Sequence, residues 1–130
     1  MSTLRRMRTL LIVVAILAAA ALPAVAIAAH APSRSEKQEL RAAVKASKLV
    51  QRSVRKGHFE LVKPRISDSG KWAKAGIAPT NTYSDPFNAP KGIFKHRSGG
   101  WKLLKVGQTG IGCSKPKVPR SVRRELKLSC

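Results

Sequence analysis

The opening stretch, MSTLRRMRTLLIVVAILAAAALPAVAIAAHAPS, limits the fold more than any other part of the chain, because it is read as a segment that takes no part in it. Arg5, Arg6 and Arg8 form a basic head, an apolar run extends from Leu10 to Leu22, and small residues follow around Pro23. This is the layout of a secretory signal peptide, which is set aside before fold reasoning begins. Residues 1–29 are assigned to it. Cleavage is expected between Ala26 and Ala29, where alanines at alternate positions fit the narrow subsites of signal peptidase. Arg8 and Thr9 stand where a twin-arginine signal wants hydrophobic residues, so the general secretory route fits better. The alternative is an uncleaved anchor, since Leu10 to Ala29 approaches the ~20 residues a spanning helix needs. Pro23 and the alanine-rich end favour cleavage. The expected product is secreted or extracytoplasmic, with no stable membrane insertion.

What remains is enough for one domain, 35–130, preceded by an exposed leader at 30–34. A chain of this size buries about two-thirds of its unfolded surface, so its core is modest. Its charge is not. Setting aside the three leader arginines leaves 23 of the 26 basic residues against all six acids, a net +17. Such a charge favours encounter with polyanions and opposes compaction through self-repulsion. Outside a cell the candidate partners are anionic wall polymers, anionic headgroups, extracellular nucleic acid and acidic polysaccharide. The competing reading is a lysine- and arginine-rich composition whose charges are simply solvated.

The segment SEKQELRAAVKASKLVQRS is predicted to be helical. Ser35 with Gln38, or Ser33 with Glu36, offers a capping box. Leu40, Ala43, Val44 and Val50 form a narrow apolar stripe that Ser47 interrupts, with Val54 added if the helix persists towards Gly57. A cationic helix lying on a membrane is the alternative use of such a segment, but the stripe lacks bulky aromatics. Phe59, Leu61, Val62 and Ile66 suggest a strand, Asp68-Ser69-Gly70 a turn, and Trp72 to Ile77 the returning partner. Pro64 has no N–H to give and belongs on an edge or at a bulge. After the loop-like TNTYSDPFNAPK, a second hairpin runs from Ile93 to Arg97, turns at Ser98-Gly99-Gly100, and returns from Trp101 to Val106. The expected fold is α+β: an N-terminal helix on an antiparallel sheet of about four strands.

VPRSVRRELKL reads as a short closing helix with Pro119 in its first turn and Val118, Val122 and Leu126 facing inward. Two turns of helix are marginal alone. The only cysteines, Cys113 and Cys130, are expected to bond and clamp it, closing a short loop worth roughly 3 kcal/mol in the chain-entropy account. An intermolecular bridge or two thiols are the competing readings. The ordered pattern GGWKLLKVGQTGIGC…VPRSVRRELKLSC resembles the C-terminal half of small secreted actinobacterial proteins of unassigned function, over about residues 66–130. The resemblance implies no catalytic residues, and the residues themselves suggest no cofactor or metal.

No phosphate-binding loop, nucleophile elbow or metal-ligand spacing occurs, and His58 and His96 are isolated. A secreted ribonuclease-type phosphodiesterase would need Glu60 as base, His96 as acid, and Arg65 and Arg97 on phosphate. A nucleic-acid binder would need Trp72 or Trp101 as stacking platforms, where core packing is the simpler role. An envelope module recognising another protein through its sheet is a further alternative. The expectation is a non-enzymatic basic domain that binds anionic envelope polymers non-specifically, with no specific nucleic acid.

Overall fold

Ser33 begins the ordered helix. Its hydroxyl accepts the Glu36 N–H at 3.2 Å, and the Glu36 carboxylate accepts the Ser33 N–H at 3.0 Å, so the second of the two capping frames is the one used. The computed structural model describes residues 29–80, 88–108, 110–114 and 117–128. The leader and its cleavage region up to residue 28, and Cys130, lie outside the described residues.

Helix α1 spans Arg34–Lys45 and a single turn, α2, spans Arg52–Arg55. The expected helix running on towards Gly57 is therefore broken into two. Ala46 caps α1 and the Ser47 hydroxyl accepts the Leu49 N–H, a local bond that competes with continued helix. On one straight helix Val54 would lie roughly 20 Å beyond Leu40 along the axis. The break lets Val54 join Leu40, Ala43 and Val44 in one buried cluster. The Arg41 guanidinium fixes α1 to the sheet, donating to the Phe59 carbonyl at 3.1 Å and lying 4.4 Å from that ring's centroid.

Four antiparallel strands follow in sequential order: β1 (Phe59–Ile66), β2 (Trp72–Pro79), β3 (Lys91–Arg97) and β4 (Gly100–Gly107). Both expected hairpins form. In the first, Gly70 takes φ +72°, a left-handed value suited to glycine, and Ser67 N–H donates to the Trp72 carbonyl. The second is tight, with Arg97 paired to Gly100. The anticipated interruption at Pro64 is a register shift between Val62 and Arg65 on the edge strand β1. Most of TNTYSDPFNAPK lies outside the described residues.

The pleat sorts side chains between two faces. Leu61, Ile66, Ala73, Ile77, Phe94 and Leu103 point to the face covered by α1 and α2. Trp72 and Ile93 point to the other, under Ile111, Val118, Val122 and Leu126. The last three flank or belong to α3, Arg120–Glu125, which Pro119 precedes as N-cap. The sheet is thus covered on both faces, an α+β arrangement. His30 is stitched to the outer edge of β1, giving and receiving a backbone bond with Ile66 at 2.9 and 2.8 Å. Among the described residues no helix is long and apolar enough to cross a membrane.

Candidate functional site

On the α3 side of the sheet, beyond the reach of Trp72 and Ile93, lies a cleft of about 640 Å³. Among the described residues five cations line it: Lys63, Arg65, Lys74, Lys91 and Lys127. They come from β1, β2, β3 and the residue following the C-cap of α3. No local stretch of sequence contains the site.

The bulge in β1 builds the wall. Strict alternation would send Val62 and Lys63 to opposite faces. Here Lys63 has φ 45° and Pro64 cannot donate to the ladder, so the strand kinks, and Val62, Lys63 and Arg65 all border one cleft. Bulges commonly re-aim a side chain in this way. The floor is small. A Cβ built on Gly76 would stand 3.0 Å from Val62 Cβ and 3.6 Å from Ala89 Cβ, so glycine keeps this end of the cleft open.

Lys127 arrives by a second unusual turn. Leu128 N–H donates to the Arg123 carbonyl at 2.8 Å and Lys127 N–H to Arg124 at 3.3 Å, the bond pattern of a Schellman close to α3. The left-handed residue in that motif is usually glycine; here it is Lys127, at φ 53°. Lys63 and Lys127 are the only non-glycine residues of positive φ among the described residues, and both line this cleft. For an L-residue that conformation costs roughly 1–2 kcal/mol. Such strain gathers at functional sites.

Lys74 occupies the centre, on β2 opposite Arg65 and Ile93. Burial holds its pKa below the ordinary lysine value, and the neighbouring charges of Lys91, Lys127 and Arg65 lower it further. Among the described residues the one carboxylate on the lining, Glu125, accepts the Asp68 backbone N–H at 2.8 Å. What this arrangement can do is hold an anion: several cations converge over a recess of small apolar side chains, and an anion would relieve their mutual repulsion.

Other residues singled out from the sequence lie apart from the cleft. Glu60 pairs with Ala78 and His96 follows the Lys95–Trp72 pair, so they sit at opposite ends of the sheet, roughly 20 Å apart. Glu60, His96 and Arg97 do not converge, and of that set only Arg65 lines the cleft. Trp72 is 7 % exposed, with Lys95 Nζ 5.0 Å from its ring centroid; Trp101 packs on the opposite face, edge-on to His96. His58 donates through its backbone to Ser53 and accepts from Thr80. Among the described residues no group of three potential metal ligands assembles. Cys113 lies beside α3, with Arg123 Nη1 donating to its sulfur at 2.9 Å, and no described cysteine is a free thiol.

Sequence reading missed the cleft. The traces it left are basic residues where alternation expects core, Lys74 and Lys91, and the Lys-Pro-Arg run of 63–65 within a strand. No family model, curated protein or solved structure matches the chain.

Proposed function

We propose that this chain is a non-enzymatic, extracytoplasmic binding domain that engages anionic envelope polymers through the cationic cleft. The carrying observation is the convergence of Lys63, Arg65, Lys74, Lys91 and Lys127 on one recess, two of them held in a backbone conformation their residue type disfavours. A merely solvated basic surface needs neither that convergence nor that strain. The net charge steers polyanions toward the molecule, and the cleft gives them a place to dock. A cleaved signal peptide at residues 1–29 would supply the address, in line with the resemblance of the C-terminal pattern to that of small secreted actinobacterial proteins. A Cys113–Cys130 bond would fix the end of the chain that delivers Lys127; the position of Cys113 against Arg123 is in keeping with that.

The test is retention of the exported protein on isolated anionic wall polymer at low salt. Retention should fall steeply as salt rises, because each neutralised phosphate releases condensed counterions. Lys74→Gln and Lys91→Gln should each weaken it several-fold, whereas Lys48→Gln, an exposed lysine of the 46–51 turn, should not. Equal losses from all three would show that binding follows overall charge and not the cleft.

A further inference from the structure

Beside the cleft, on the outer face of α3, is a second recess of about 340 Å³. It is lined by Arg120, Arg123, Arg124 and Leu128, and it shares Lys127 with the first. The shared residue makes the two recesses neighbours on one surface.

The spacing is regular. Arg120, Arg123, Arg124 and Lys127 stand at i, i+3, i+4 and i+7, which places them on one stripe of α3 and its closing turn. Val118, Val122 and Leu126 hold the opposite side in the core. Like charges at such spacings destabilise a helix. A helix of six residues has little stability of its own to spare. Arg123 is partly occupied with the Cys113 sulfur, whereas Arg120 and Arg124 are exposed.

We propose that the two recesses are consecutive subsites for a single extended polyol-phosphate chain, which crosses from the sheet cleft over Lys127 onto the arginine stripe of α3. This rests on the anion-binding reading of the cleft. The stripe from Arg120 to Lys127 covers about 10 Å of helix rise, more than a single phosphate bridges. A chain with phosphates at intervals reaches both. Recognition is through phosphate: among the described residues no aromatic ring lines either recess, and cations line both. Trp72 is buried under Lys95 and Trp101 lies on the far face, so neither tryptophan offers these recesses a stacking platform.

The experiment compares a two-unit glycerol-phosphate oligomer with a long poly(glycerol phosphate) chain by titration calorimetry on the exported protein. The wild type is set beside the double variant Arg120→Gln/Arg124→Gln and beside Lys74→Gln. The double variant should weaken the long chain about tenfold while leaving the short oligomer within twofold. Lys74→Gln should weaken both. If the double variant affects short and long chains alike, or neither, the second subsite is wrong while the cleft stands. If the short oligomer binds and Lys74→Gln leaves it unchanged, the cleft reading itself fails. A thymidine oligonucleotide of matched phosphate number should bind no more tightly than the polyol chain. Tighter binding of the oligonucleotide would overturn the phosphate-only assignment in favour of nucleic acid.

Discussion

Lys127 holds a position that helices ordinarily give to glycine. Lys127→Gly should relieve the left-handed strain and stabilise the fold by about 1 kcal/mol, while anion binding weakens. Thermal melts and polymer titration on the same variant check both signs. Lys74 makes the same case through electrostatics. Its depressed pKa, caused first by burial and then by Lys91, Lys127 and Arg65, means that the unfolded chain holds this proton more tightly than the folded one. Stability therefore rises with pH between the folded value and the unfolded one near 10.5. At neutral pH the cost of the charge is fully present. Lys74→Met should accordingly raise the melting temperature at pH 7, and that advantage should shrink as pH approaches the ordinary lysine range. A melting temperature that falls at pH 7 would show that Lys74 supports the fold, contrary to this account.

At the scale of the element, the capping box of α1 is a discrete contribution. Ser33→Ala should cost about 0.5–2 kcal/mol in denaturant unfolding. The Ser33 N–H bond is the main reason the Glu36 pKa lies below its ordinary value, with partial burial opposing it. This contribution is present above the ordinary glutamate range and is lost as pH falls through the lowered folded value. Both hairpins, the bulge at Pro64 and the inward face of α3 were legible in sequence, because alternation, turn glycines and the missing proline N–H act locally. The end of α1 was not. Residues 45–49, Lys-Ala-Ser-Lys-Leu, carry no glycine or proline, and the break reflects the need to bring Val54 back over Leu40 and Val44. The cleft was illegible for a related reason: residues 63, 74, 91 and 127 meet only once strand register and the path of α3 are fixed.

At the scale of the molecule, the 23 basic residues beyond the leader against six acids set the conditions under which the fold is comfortable. Moderate salt should stabilise the protein by screening self-repulsion and at the same time release bound polymer, since the screening length falls from about 10 Å at 0.1 M to about 3 Å at 1 M. Melting curves and retention measured across one salt series should move in opposite directions. The proposed Cys113–Cys130 bond joins these effects to covalent structure. Cys130→Ser should cost a few kcal/mol, make amide protection in residues 118–128 the first to disappear, and weaken polymer binding through displacement of Lys127. Unchanged exchange protection in that segment after reduction would refute the clamp.

The bulge in β1 and a second register shift, in the β3–β4 pairing, bear on how many copies can crowd together. An open sheet has two exposed borders, and such borders are templates for fibre growth when nothing discourages strand addition. In solution the high net positive charge opposes close approach of two copies. On the proposed neutralising polymer that protection would vanish at the moment when local concentration is highest. What remains is the shape of the borders. β1 is kinked at Lys63-Pro64 and partly covered by His30, and β4 shifts register where Ile93 and Phe94 face Lys105 and Leu103. Such irregular borders template poorly, so on the proposed polymer neighbouring molecules would stay separate and come off it again unchanged.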